Sequence, residues 1–259
     1  MRIVVLVKQV PDTAAQIQIK PDGSGIVEEG LKYILNPYDE FAVEEAVRLK
    51  EKISSSELFV LTVGLERTKE ILRTCIAVGA DQAVLILEEG EPLDPFSTAE
   101  LLAKKIESLH PDLILSGKQA ADDDMAYIGG AVAQRLNFPF VSVVTQVEIL
   151  ENGKKAKIKR QIEGGEEIIE VDLPCVLSAQ KGLNEPRYPS LAGMMKAKKK
   201  EIEVIKAADL VPDIRKFART KLERLQPVPV RPAGKILQGS PEKMVKDLVR
   251  FLKDEEKVI

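Results

Sequence analysis

The chain has 259 residues, 44% of them hydrophobic and 31% charged, as expected of a soluble globular protein with one large domain or one domain with appended arms. A net charge of −3 sets up no long-range field toward nucleic acid or an acidic membrane, and no apolar run approaches the about 20 residues a bilayer span requires. One histidine, two cysteines and no G-x-S-x-G elbow offer neither a zinc cluster nor a Ser-His-Asp triad, which disfavours hydrolytic catalysis.

The opening MRIVVLVKQV lacks the basic start and small-residue cleavage site of a signal peptide and reads as a first strand, with a bacterial or archaeal cytoplasm as the expected compartment. Continuous apolar runs at 3–7, 58–63, 83–87 and 113–116 predict strands covered on both faces. Between them, 67–78 and 97–109 carry apolar residues at helical spacing. Strand–helix alternation predicts a doubly wound, mostly parallel α/β sheet over about residues 1–145. An excursion, IQIKPDGSGIVEE at 17–29, reads as an antiparallel hairpin extension. Next comes a helix over 35–52, with Asn36 as N-cap, Pro37 at the first helical position, Asp39 at the third, and Ala42, Val43, Ala46 and Val47 as its buried stripe. Cys75 and Cys175 sit in apolar settings and are expected to be buried free thiols. His110, before Pro111, is placed to meet the negative end of a helix dipole.

After Pro139 the pattern becomes an antiparallel meander over 141–173, with turns at Asn152-Gly153 and Gly164-Gly165. Residues 176–178 are expected to return to the main sheet. The division expected is a nucleotide-binding domain over 1–182, a loop and helix over 183–205, and an extended arm over 206–259. The arm carries Pro212, Pro227, Pro229 and Pro232. It ends in SPEKMVKDLVRFLKDE, an amphipathic helix with Met244, Val245, Leu248, Val249 and Leu252 on one face.

The stretch GKQAADDDMAYIGG at 117–130 carries the most chemistry. In a doubly wound sheet, ligands bind outside the carboxyl ends of the strands, and Gly117 stands at such an end. A helix is expected to begin near Asp122–Asp124, with Met125, Gly129, Val132 and Leu136 facing inward. The three acids then stabilise the helix dipole. The same helix end would accept a phosphate on its free N–H groups, provided the carboxylates point away or reach ribose. A magnesium site is a third use, with no Walker pattern to accompany it. These residues point to a nucleotide-sized ligand and leave its identity open.

VKQVPDT (7–13), NPYDEFAVEEAVRLKE (36–51), GKQAADDD (117–124), EGGEEIIEVDLPCVLSA (163–179) and LNEPRYPSL with MKAKKK (183–191, 195–200) together resemble the beta subunit of electron transfer flavoproteins, in order and over nearly the whole chain. The resemblance implies a heterodimer with an alpha subunit that holds most of an FAD. It also implies an AMP buried by the beta subunit at Leu6, Asn36, Pro37, Tyr38, Asp39, Val63, Gly117, Lys118, Gln119, Ala120, Ala121, Asp122, Asp123, Asp124, Met125, Ala126, Tyr127 and Ile128, with Tyr38 near the flavin. Members that bifurcate electrons hold a second FAD in place of AMP. Ala126, Ile128 and VKQVPDT lean toward those members and the acidic trio leans away, so AMP is the expected occupant and the second FAD the alternative.

The resemblance further implies a recognition loop whose leucine, Leu191, plugs into a partner acyl-CoA dehydrogenase, with Met194 and Met195 beside it and Lys196 and Lys199 in the basic run. On the residues alone, that stretch reads first as a core-packed helix start with a solvated lysine face. Electrons would pass from dehydrogenases to a membrane quinone oxidoreductase or another acceptor, with no catalytic residue in this chain and no insertion into the membrane. A stand-alone adenine-nucleotide-binding module is a competing reading, but it gives no role to residues 183–200 or to the arm. An ATP-cleaving enzyme on a related fold would need a phosphate loop that the chain lacks.

Overall fold

The computed structural model describes residues 1–151, 153–229 and 233–259; the expected turn residue Asn152 and the arm's Pro232 lie outside them. The chain opens with β1 (Arg2–Leu6), β2 (Gln9–Pro11) and β3 (Tyr33–Leu35), then α1 (Pro37–Lys52), β4 (Glu57–Gly64), α2 (Lys69–Val78), β5 (Gln82–Leu87), α3 (Pro95–Leu109), β6 (Leu113–Gly117) and α4 (Ile128–Leu136). There follow β7 (Phe140–Leu150), β8 (Lys155–Ile162), β9 (Gly165–Asp172), β10 (Cys175–Ala179), α5 (Leu191–Lys199), β11 (Glu203–Lys206), α6 (Ala207–Leu210) and α7 (Pro241–Arg250).

Among the described residues these strands build a nine-stranded sheet in the order β11-β5-β4-β1-β6-β10-β7-β8-β9, parallel from β11 through β7 and antiparallel from β7 through β9. The meander is therefore continuous with the main sheet, and β10 returns between β6 and β7 as expected. Its outer strand, β9, presents Glu166, Glu167, Glu170 and Asp172 along an open edge.

Alternation along each strand divides the core in two. Ile3, Val5, Leu58, Val60, Leu113 and Leu115 meet α1 and α2 through Ala42, Val43, Ala46, Val47, Ile71 and Leu72. Val4, Leu6, Leu61, Val84, Ile86 and Ile114 meet α3 and α4 through Leu101, Leu102, Ile106, Ala131 and Val132. With helices covering both faces, the strands read as unbroken apolar runs. Cys75 and Cys175 are free and buried. Burial pushes both thiols up, Cys175 to about 12, so neither is poised as a nucleophile. His110 does close α3, in the left-handed conformation.

Three features depart from the sequence reading. The hairpin excursion narrows to one bridge, Ile19↔Ile26, turning at Gly23, because two short exposed strands bury too little to propagate a ladder. Its base is closed instead by the β2–β3 pair. The chain after α5 adds β11 to the outer edge of β5 and buries Ala207 and Ile214 against the second core. Farther on, Arg219 and Thr220 donate their N–H groups to Asp94 at 2.8 and 3.0 Å, and Leu225 N–H donates to the Gly23 carbonyl at 2.9 Å. In α7, none of the described residues is buried; Val245, Leu248 and Val249 all face outward. No helix among the described residues is long and apolar enough to cross a membrane.

Candidate functional site

The chain runs from β1 to β4 and β5 on one side, then crosses back through α3 to place β6 on the other side of β1. At this reversal the connections diverge and leave a crevice at the carboxyl ends of the strands. A cavity of about 450 Å³ occupies it, a size suited to a small molecule. Leu6, Leu61 and Val63 form its apolar floor, and Ser116 and Gly117 end β6 at its centre. The Ser116 hydroxyl is buried and has no hydrogen-bond partner among the described residues. Such a group normally finds one, so a polar ligand atom would complete it.

The start of α1 supports the near wall. Asp39 is buried, and its carboxylate accepts Lys8 N–H at 2.7 Å and Gly117 N–H at 3.0 Å. It thereby ties β1's exit, β6's end and α1 together. Burial pushes the Asp39 carboxyl up from 3.8 to about 7, against the pull of those two donors. Because the folded value lies above the unfolded one, this group's contribution to stability is full below about 4 and is lost as pH rises through about 7. Gly117 is required by this closeness: a Cβ there would overlap the Asp39 carboxylate and approach Tyr38 Cβ to 2.8 Å. Asn36 precedes α1 but does not cap it with its side chain. Its amide instead reaches the opposite loop, donating to the Gln119 carbonyl at 2.9 Å and accepting from Ala121 N–H at 3.0 Å.

The acidic trio is not at a helix start. Residues 120–124 close one turn, with Asp124 N–H donating to the Ala120 carbonyl at 2.9 Å. Asp124 (φ +52°) and Ala126 (φ +51°) then take left-handed backbone, which ends that turn. The helix begins only at Ile128, with no acid in its first turn. Two of the carboxylates instead grip Lys8, Asp122 at 2.7 Å and Asp123 at 2.9 Å. Burial opposes the Lys8 charge, yet the two aspartates hold its ammonium above the ordinary lysine value. Asp124 accepts from Gln119 Nε2 at 2.5 Å. Met125, expected in the buried stripe, is 56% exposed at the cavity's lip.

Of the residues expected at a nucleotide site, Leu6, Asn36, Asp39, Val63, Gly117–Ala120, Asp123 and Met125–Ile128 line the cavity. Ala121, Asp122 and Asp124 support its rim through the bonds just given. Pro37 opens α1. The Tyr38 ring lies 5.4 Å from the Lys118 ammonium, outside the lining. The cavity also uses residues the sequence reading passed over: Lys8, Ser116, Arg67 and the loop Gly90–Leu93. Ser116 had a signal, a polar residue ending an otherwise apolar strand. Arg67 stacks 3.7 Å from the Tyr33 ring centroid and pairs with Glu28 at 3.4 Å, contacts between segments far apart in sequence. No cluster suited to a metal ion occurs among the described residues.

A second feature stands apart from the cavity. Ser190 caps α5 by accepting Gly193 N–H at 3.0 Å. Leu191 opens the helix 78% exposed, with Met194 and Met195 also exposed and Lys196, Lys198 and Lys199 in the last turn.

A family model described as electron transfer flavoprotein domain matches residues 24–210. The chain is 42% identical over 264 residues to the electron transfer flavoprotein subunit beta of Bacillus subtilis (strain 168), covering 100% of both. It is 41% identical to the Homo sapiens protein of the same name, covering 98% of this chain and 97% of the relative. It is 38% identical to the electron transfer flavoprotein subunit beta, mitochondrial, of Oryza sativa subsp. japonica, covering 100% of both.

Proposed function

Because the chain belongs to the electron transfer flavoprotein family, on the side of the beta subunit, we propose that it is the platform half of a heterodimeric electron carrier whose alpha subunit holds most of an FAD. The dimer takes electrons from dehydrogenases such as acyl-CoA dehydrogenases and delivers them to a membrane quinone oxidoreductase or another acceptor. FAD supplies the electron chemistry when bound. This chain's own residues bind, orient and brace, with Tyr38 and Lys118 as the side that would face the flavin.

In this reading the cavity holds AMP as a structural ligand. The observation that carries it is the pairing of an apolar floor with the unpartnered Ser116 hydroxyl at the sheet's carboxyl edge. Leu6, Val63 and Ile128 offer apolar surface to a base. The first N–H groups of α4, which lack intrahelical acceptors, and Lys8 offer donors to phosphate. Lys8 also neutralises the aspartates that would otherwise repel that phosphate. Extracting the purified heterodimer and identifying its nucleotides tests the reading: one flavin and one AMP per dimer are expected. Two flavins would place the chain among bifurcating carriers, the reading that Ala126 and Ile128 at the lip favour. A colourless chain that pairs with no alpha subunit would leave only a nucleotide-binding module.

Residues 183–205 serve partner recognition in this reading, with Leu191 as the anchor, and the arm from 206 wraps the alpha subunit. An exposed leucine that becomes buried on docking contributes about 1.5–3 kcal/mol. Leu191→Ala is therefore expected to slow reduction by the dehydrogenase about tenfold or more, with flavin content unchanged. Unaltered transfer rates in stopped flow would remove Leu191 from this role.

A further inference from the structure

The segment leading into α5 is pinned by polar contacts rather than by a core of its own. Tyr188 is 95% exposed and Leu191 nearly as open, yet their neighbours are held fast. Asn184 Nδ2 donates to the Phe41 carbonyl and to Glu45 Oε2, both at 3.0 Å. Arg187 gives its backbone N–H and its Nε to Glu44 Oε2 at 3.2 and 2.9 Å, and its Nη2 to Glu44 Oε1 at 3.1 Å. The same guanidinium reaches Glu51 through Nη1 at 2.6 Å and Nη2 at 3.1 Å. The Glu44 side chain is only 2% exposed and takes a further bond from Arg48 Nε at 2.6 Å. Arg48 then donates to the Glu185 carbonyl at 3.2 Å.

Glu44 and Glu51 lie seven residues apart, two turns along one face of α1. A planar guanidinium meets both carboxylates side-on, which a single lysine ammonium cannot do. Arg187 and Arg48 face Glu44 and Glu51, and the third carboxylate, Glu45, takes a neutral amide donor from Asn184. On the far side of Leu191, α5 is fixed against α2. Arg73 Nη1 donates to the Ala197 carbonyl at 2.7 Å, and Gly193 lies so close to the Ala77 carbonyl that a Cβ would overlap it. Leu191 thus stands between two clamped points, four residues after one and two before the other.

We infer that Arg187 is a positioning residue for partner recognition: gripped by Glu44 and Glu51 of α1, it holds the segment before α5 so that Leu191 is presented in one pose. The inference rests on the reading of Leu191 as the docking anchor. An anchor held in its bound pose loses less conformational freedom on association. Releasing the grip therefore weakens docking and leaves the electron chemistry as it was.

The test uses the flavin-loaded heterodimer with an acyl-CoA dehydrogenase as donor. Arg187→Ala is expected to raise the KM for the carrier about fivefold, with kcat and flavin content unchanged. Arg187→Lys recovers only part of the loss. Glu51→Gln, which leaves Arg187 on Glu44, gives a smaller rise and decides the matter if Arg187→Ala yields no loaded dimer. The salt dependence of KM stays that of wild type in these variants, because Arg187 acts through Leu191 and does not touch the partner. A KM rise in Leu191→Ala with none in Arg187→Ala or Glu51→Gln overturns the inference alone, as does a flattened salt dependence. A silent Leu191→Ala overturns the recognition reading and the inference with it.

Discussion

At the scale of single residues, the cavity depends on closeness. Gly117 lets β6 end against the Asp39 carboxylate, and a methyl group there would force apart the tie among Lys8, Asp39 and Gly117. Gly117→Ala is expected to cost about 1–3 kcal/mol, read as a lower urea midpoint, and to lower the nucleotide recovered from the purified dimer. A midpoint and yield equal to wild type would show that α1 can move away freely. Some of this was legible beforehand: a glycine closing an apolar strand marks a carboxyl-end site in any doubly wound sheet. The partnership of Lys8 with Asp122 and Asp123 was not. Those residues are 114 and 115 positions apart, and only the β1–β6 pairing brings them together. The acids consequently read as helix-capping groups, whereas the left-handed Asp124 and Ala126 move the helix start to Ile128.

At the scale of elements, Asp94 joins a helix start to the arm. One carboxylate oxygen caps α3 by accepting Ser97 N–H at 2.9 Å, and the other accepts Arg219 and Thr220 N–H. Burial works against the charge, but these donors hold the carboxyl down at about 2. Since the folded value is the lower one, the contribution is complete above the ordinary value of 3.8 and is lost only as pH falls toward 2. Asp94→Ala should remove both functions, costing about 1 kcal/mol for the cap and exposing the arm near 219–220 to limited proteolysis. Asp94→Asn separates the two: it keeps the cap, since asparagine caps well, but sets an amide against the arm's N–H donors, so only the proteolysis should change. Protease resistance equal to wild type in both variants would mean the arm is held elsewhere.

The elements most readable in advance were those whose apolar runs had both faces covered, β1, β4, β5 and β6. The strand β11 escaped notice because it is short, flanked by charge and largely exposed. Its place comes from the parallel edge of β5 rather than from any pattern of its own.

At the scale of the molecule, a covered sheet carries an uncovered tail. Every residue described in α7 is at least partly open to solvent, including the apolar stripe of Val245, Leu248 and Val249. An amphipathic helix in this state contributes little to the stability of its own chain. Deleting residues 240–259 is therefore expected to leave the thermal midpoint of the isolated chain unchanged while lowering the yield of flavin-bearing heterodimer on co-expression. A drop in that midpoint would show that the helix stabilises its own chain, and an undiminished yield of yellow dimer would show that it does not serve the other subunit.

The sixteen-residue α1 joins the cavity to the exposed leucine. Its leading end holds Asn36 and Asp39 at the crevice, and its later turns hold Asn184 and Arg187. Each residue added to a helix advances its phase by about 100°. Side-chain swaps along the solvent face of this rod are tolerable, but a one-residue insertion between Asp39 and Glu44 would swing the glutamates away from their arginine while the crevice stayed in place. The rod thus acts as a gauge, and its length in this chain is constrained from both ends at once.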